Sequence, residues 1–288
     1  MGWQNRLVKK GKLNSPVVEH TPVIWKGRLL LVETWQCHWD QPPDPGSYYV
    51  RIRDVDTGEV LSRCMNGYYL SSALVWDGVL RVFAARKTDS GPRDVNITSS
   101  CDLVKWSQPE AVLSGHPGEN LFNQSVCHDG RRFVMAYETD DPAYPKFTIK
   151  FAVSDDLETW TKIPEAIYGP DRYTACPALR FAAGHYYMLY LEYLRPRWWF
   201  ETWLTRSRDL IAWEDAPQRP VIAPDPGQDV HPGHPDGGKE CNASDPDLVE
   251  WQGRTRVYFT GGNQTWGGDL QYAEFDGTIR EFFESYYE

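Results

Sequence analysis

The sequence predicts an all-β protein: a five-bladed β-propeller whose four-stranded antiparallel blades surround a central channel. Two recurring phrases and their spacing carry that prediction. One phrase places a serine, an aspartate, a leucine and a tryptophan in fixed register three times. The other is an apolar strand, a tight turn and a second apolar strand, and it occurs five times. The five copies lie about 55 residues apart on average, close to the length of one propeller blade. A sandwich would not require that register. The 288 residues hold five such units with little left over, and no composition break divides them, so residues 1–288 are expected to form one domain.

The first hairpin is Pro22–Val32, turning at Lys26-Gly27, and the second is Ala73–Phe83, turning at Asp77-Gly78. The third is Ser125–Met135 around Asp129-Gly130, the fourth Ala178–Met188 around Ala183-Gly184, and the fifth Asp247–Tyr258 around Gln252-Gly253. Glycine supplies the positive φ that a hairpin turn needs. Between hairpins come Ser100-Cys101-Asp102-Leu103-Val104-Lys105-Trp106, Ser154-Asp155-Asp156-Leu157-Glu158-Thr159-Trp160 and Ser207-Arg208-Asp209-Leu210-Ile211-Ala212-Trp213. Their Ser and Asp side chains can bond their own turn backbone, and Leu and Trp can plug between sheets, so these aspartates are read as structural. The segment around Asn5-Arg6-Leu7-Val8 is expected to supply a closing strand beside Leu270–Asp276. No stretch shows sustained, capped helical periodicity.

Forty acidic against thirty basic residues give a formal charge of −10, a poor surface for gripping phosphate backbones. No apolar run is long enough to span a membrane as a helix. No secretory signal is visible in the first residues, which reads as cytoplasmic. The six cysteines form no CxxC pair and read as reduced thiols, Cys127 and Cys176 as small core residues. Four N-x-S/T sequons, at Asn96, Asn123, Asn242 and Asn263, carry little information without a secretory address.

A propeller concentrates its chemistry at a channel mouth. The five inner-strand starts form one ring there: Glu19-His20, Ser71-Ser72, Asn123-Gln124, Ala175-Cys176 and Ser244-Asp245. Second-strand ends form a wider one: Glu33, Arg86, Glu138, Glu192 and Thr260. Convergent carboxylates suit glycosidic chemistry, one protonated to donate to the leaving oxygen and one ionised to activate water or attack. The residues expected to act as acid, base or nucleophile are Asp245, Glu192, Glu138 and His20. Those expected to bind substrate are Glu19, Glu33, Trp35, Arg86, Asn123, Arg195, Trp198, His231, His234 and Trp266. The aromatics divide accordingly. Trp106, Trp160 and Trp213, with Trp25, Trp76 and Trp251 beside the turns, read as structural. Trp35, Trp39, Trp198, Trp199 and Trp266 on mouth loops are the candidates for stacking on sugar.

Five hairpin blades with Ser-x-Asp-Leu-x-x-Trp turns resemble the five-bladed propeller glycosidases, the clan around glycoside hydrolase family 43 and its levansucrase and invertase relatives. The best local match is Ser244-Asp245-Pro246-Asp247-Leu248-Val249. There the resemblance implies a catalytic or channel-lining carboxylate at Asp245. The departures are specific. Where the family opens its first blade with Asp-Pro, this chain has His20-Thr21-Pro22 preceded by Glu19. Asn123 stands for the third-blade Asp, and Ala175-Cys176-Pro177 for the fourth-blade Glu before Gly-Pro. The family's Asp, Asp, Glu triad is therefore not carried over, and Glu138 and Glu192 are expected to replace the missing carboxylates.

The longest loop, Pro226–Asn242, holds His231, His234, two Asp, Glu240 and Cys241. It reads as a polar lid touching substrate in preference to a divalent-metal site, because the spacing is not diagnostic. No cofactor is called for, and a metal stays open. The leading expectation is hydrolysis of a plant or algal oligosaccharide, with no nucleic-acid or membrane partner and no statement of oligomeric state. Two alternatives stay open: a polysaccharide lyase, with Arg86, Arg195 or Arg197 holding a uronate, and a non-catalytic sugar-binding propeller.

Overall fold

The structure, a computed structural model, describes residues 6–41, 44–145, 147–233, 237–264 and 267–288. Its strands form five four-stranded antiparallel sheets in chain order. An N-terminal strand, β1 (Val8–Lys12), precedes the first blade of β2 (His20–Trp25), β3 (Arg28–Trp35), β4 (Tyr49–Asp54) and β5 (Val60–Cys64). Blade two is β6 (Tyr68–Trp76), β7 (Val79–Arg86), β8 (Asp94–Ser100) and β9 (Glu110–Ser114). Blade three is β10 (Leu121–His128), β11 (Phe133–Thr139), β12 (Thr148–Ser154) and β13 (Thr161–Tyr168). Blade four is β14 (Thr174–Ala182), β15 (His185–Tyr193), β16 (Phe200–Ser207) and a short β17 (Trp213–Asp215). Blade five joins β18 (Ser244–Trp251), β19 (Arg254–Gly261) and β20 (Asp269–Phe275) to β1, with Val8 opposite Glu274. The ring thus closes by pairing the two ends of the chain, as the N-terminal segment suggested.

Four of the five inner hairpins turn on two residues that both have positive φ, such as Lys26 at 50° and Gly27 at 76°. This backbone matches the twist of the flanking strands. Blade three differs. Four residues separate His128 from Phe133, and the Asp129 carboxylate accepts the N–H groups of Arg131 and Arg132 to hold the longer turn.

The repeated Ser-x-Asp-Leu phrase works as a turn clamp. Ser100 Oγ accepts the Leu103 N–H at 2.9 Å, and Asp102 accepts those of Val104 and Lys105, both at 2.8 Å. Ser154 with Asp156, and Ser207 with Asp209, do the same. Each clamp forces its leucine to positive φ, 62° to 70°, a conformation unfavourable for a branched side chain. Burial offsets that strain. Leu103 packs between blades one and two, Leu157 between two and three, and Leu210 between three and four.

Among the described residues, one α-helix lies outside the blades. Helix α1 (Ile279–Glu284) follows blade five, with the Thr278 hydroxyl accepting the Glu281 N–H and the Glu281 carboxylate reaching back to the Thr278 N–H. Its Phe282 and Phe283, with Tyr286, fill the base of blades four and five. The six-residue helix is too short to show periodicity; its signal is the capping box Thr278-Ile279-Arg280-Glu281.

Candidate functional site

The site is built by a defect repeated around the ring. In blades two to five, the first hairpin pair loses register near the mouth: between Tyr69 and Ser72, Phe122 and Ser125, Ala175 and Ala178, and Ser244 and Asp247. At each bulge one residue takes positive φ: Leu70 (55°), Asn123 (33°), Cys176 (50°) and Asp245 (48°). A bulge bends the strand and re-aims a side chain. Asn and Asp tolerate that backbone, whereas Leu and Cys are strained by it. Blade one has no register break, and Glu19, just ahead of His20, occupies the corresponding place. The resulting cavity is lined by Glu19, His20, Ser72, Asn123, Cys176 and Asp245, among others. Its neck has about 30 Å³ of room, enough for a water molecule or two but not a sugar ring. A ligand of ring size would therefore sit over the neck and not inside it.

Three carboxyl groups converge here with no cationic partner among the described residues. Glu19 and Glu138 are buried and Asp245 is half-buried. Several buried carboxylates elsewhere are paired with cations: Glu33 with Arg51 and Arg53, Glu119 with Lys150 and Lys162, Asp247 with Arg180, and Asp269 with Lys12; buried Glu201 instead accepts the indole N–H groups of Trp199 and Trp203. The unpaired trio has the electrostatics that follow. Burial, reinforced by Asp245, pushes the Glu19 carboxyl up to about 8, against a 2.6 Å hydrogen bond from Gln36. Burial also pushes Glu138 up to about 7, opposed by the Asn123 amide at 2.9 Å and the Cys176 N–H at 3.0 Å. Asp245 is raised by burial as well, while the Ser244 hydroxyl, the Cys176 thiol and His20 favour its ionised form. The Cys176 thiol is itself held well above its usual range by burial and by the neighbouring carboxylates, so it serves as a donor and not as a thiolate. His20 Nδ1 donates to the Val18 carbonyl at 2.9 Å. Its Nε2 is buried without a partner among the described residues, as is the Ser72 hydroxyl.

The structure thus brings together Asp245, Glu138, His20, Asn123 and Glu19, and distributes the other expected residues elsewhere. Glu33 is a correction. It stands opposite Arg51 across the β3–β4 ladder and is fully enclosed by Arg51 and Arg53, so it is a structural ion-pair centre. Glu138 holds the matching register on β11 but faces Ile149 on β12. With no arginine beside it, Glu138 is bonded by Asn123 and Cys176 of the inner strands. Glu192 is also displaced: Arg172 holds it at 3.0 Å in a separate cavity between blades three and four, which Arg195 also lines. Arg86 lines a third cavity with Thr88, Ser90 and Arg93. Trp35 lies flat under the Arg51 guanidinium at 4.2 Å, serving the Glu33 cluster. Trp199 is buried with its indole N–H on Glu201, so it too is structural, whereas Trp198 is 56% exposed. His231 stacks on Trp39 at 3.5 Å, joining the long loop to blade one. His234 and Trp266 lie outside the described residues.

Among the described residues, one group brings three potential metal ligands together: His116, Glu119 and Asp141. Lys150 and Lys162 already neutralise it, so it does not offer a cation site. In the long loop Asp229 pairs with Lys239 at 2.7 Å, and Glu240 accepts from Gln271 at 2.8 Å.

No protein-family model matches the chain, and no curated protein sequence does. Solved structures match its fold along nearly its whole length. A complex of BT0996 with RGII aligns with a TM-score of 0.67 over 94% of this chain and 90% of that one, at 14% identity. An α-L-arabinanase from Penicillium chrysogenum, complexed with arabinobiose, aligns at 0.63 over 94% and 97%, at 12% identity. A glycoside hydrolase family 43 protein from Bacillus licheniformis aligns at 0.65 over 92% of this chain and 54% of its own, at 14% identity. The fold is therefore that of the five-bladed glycoside hydrolase propellers; at such identities the likeness is one of fold.

Proposed function

We propose that the protein hydrolyses a glycosidic bond of an oligosaccharide, using the three carboxyl groups at the propeller mouth. The observation that carries this reading is their convergence, buried and without a cation, at the open end of the channel. Such a trio cannot be fully ionised at neutral pH, because like charges in a desolvated site disfavour one another. It holds protons and charge together, as leaving-group protonation and water activation require.

The roles follow from the surroundings. Glu19, whose carboxyl burial pushes up to about 8, is assigned as general acid. Asp245 receives Ser244, Cys176 and His20 as stabilisers of its charge and is the most accessible of the three, so it is assigned as the base or nucleophile. Glu138, clamped by Asn123 and the Cys176 N–H, tunes both from beneath. His20 Nε2 supplies a hydrogen-bonding position for a sugar hydroxyl or the attacking water. This chemistry needs no cofactor. The fold neighbours include an arabinanase bound to arabinobiose, which supports a glycan as the substrate class.

The test is release of reducing ends from a panel of plant and algal oligosaccharides by the full chain, Asp245→Asn and Glu19→Gln. The expected result is turnover by the parent chain and loss of at least about a hundredfold in each variant, the usual scale of acid–base assistance. Full activity in both variants would remove the assignment, and binding without turnover would favour the non-catalytic reading.

A further inference from the structure

The cavity beside the carboxyl trio has a different chemistry. It lies between blades three and four and is bounded by Pro145, Arg172, Tyr173, Glu192, Tyr193 and Arg195, with about 460 Å³ of room, the size of a small-molecule site. Tyr173 lines this cavity and lies within electrostatic reach of Glu138, Cys176 and Asp245 of the central site as well as of Arg195. The tyrosine rings continue the wall outward, Tyr173 against Tyr193 at 5.7 Å and Tyr193 against Trp198 at 5.6 Å.

Two cations line this cavity, and their situations differ. Arg172 is committed to Glu192 at 3.0 Å and Asp215 at 3.5 Å. Arg195 has no carboxylate within ion-pair reach among the described residues. It is nonetheless placed: its backbone N–H donates to the Tyr193 carbonyl at 3.0 Å, and its guanidinium lies 5.0 Å from the Tyr193 ring centre. Trp198, fixed by its indole N–H to the Asn263 carbonyl at 3.2 Å, offers an exposed aromatic face on the same tyrosine. A free planar cation beside a fixed aromatic face can hold a carboxylate while a sugar ring stacks. The neighbouring carboxyl trio repels an anion placed over the neck, so an acidic group of the substrate is directed outward, toward Arg195.

We propose that this cavity is a subsite for an acidic sugar, a uronate residue whose carboxylate is held by Arg195 and whose ring rests on Trp198. The proposal builds on the glycosidase reading, because it places the uronate next to the sugar whose bond is cleaved.

The experiment compares short glucuronate- and galacturonate-bearing oligosaccharides with their carboxyl-reduced neutral counterparts, for the parent chain, Arg195→Gln and Arg195→Lys. The parent chain is expected to favour the acidic form in kcat/KM by about tenfold or more, the scale of one charge-assisted hydrogen bond. Arg195→Gln should erase that preference and Arg195→Lys restore part of it. An equal loss on acidic and neutral substrates, or a parent chain that prefers the neutral form, would overturn the subsite. If no oligosaccharide is turned over, the glycosidase reading fails by itself. The subsite is then decided by titration calorimetry of the same acidic oligosaccharides against the full chain. Salt-sensitive binding abolished in Arg195→Gln supports it, and absent or unchanged binding refutes it.

Discussion

Replacing Glu19 by glutamine should make the protein more stable, and increasingly so as pH rises. The carboxyl sits at about 8 in the folded chain against an ordinary 4.5. Its folded-state value is raised, so the native state binds the proton more tightly than the unfolded state does. Below about pH 4.5 both states are protonated and Glu19 has no effect on stability. Above that, stability falls with pH until the folded carboxyl itself ionises near 8. At pH 7 the cost is on the order of 3 kcal/mol, from about 1.36 kcal/mol for every pH unit above the unfolded chain's ionisation. Glutamine is nearly isosteric, can still accept from Gln36 and does not ionise. The assay is thermal unfolding of both proteins from about pH 4 to 8.5, which brackets the two ionisations. The expectation is coincident midpoints at the acid end and a variant more stable by about 5–10 °C near neutrality, given a few degrees per kcal/mol for a chain of this size. Two parallel profiles would show that Glu19 is not held protonated, and the general-acid assignment would fall with it.

Two further outcomes test the scaffold. Glu33→Gln leaves Arg51 and Arg53 packed around a neutral amide and should cost about 3–5 kcal/mol, the usual penalty for breaking a buried ion pair, read from urea unfolding. Leu157→Ala removes the wedge between blades two and three, where the side chain is 2% exposed, and should lower stability by about 2–5 kcal/mol in the same measurement.

The blades were legible in the sequence because propeller geometry repeats, and the turn clamp needs its Ser, Asp and Leu at fixed spacing. The inner ring was legible for the same reason. Seven residues before the first turn residue of the two-residue hairpins (Lys26, Asp77, Ala183 and Gln252) stand Glu19, Leu70, Cys176 and Asp245. That count marks Glu19 as an equal of Asp245, whereas strand ends alone place it among the binding residues. The outer ring was less legible because its fate depends on cross-strand neighbours. Arg51-Ile52-Arg53 captures Glu33, while Thr148-Ile149-Lys150 puts an isoleucine opposite Glu138. Glu192 is drawn away by Arg172, which precedes its own blade in a loop whose path no periodicity encodes. Trp199 has the sequence position of a mouth residue, and only its partner, Glu201 on β16, reveals its structural role.

The pairing of β1 with β20 sets an order of events for a nascent chain. β1 has no sheet to join until β20, more than 250 residues later, has been made. During synthesis the finished blades form an open arc whose terminal faces expose apolar side chains meant for a neighbour, and growing chains in this condition are prone to association. Blade five becomes a four-stranded sheet only once β20 is available to β1, and the channel mouth gains Asp245 opposite Glu19 only when the clasp shuts. The site's charge repulsion is therefore met last, by a scaffold whose other four blades are already packed.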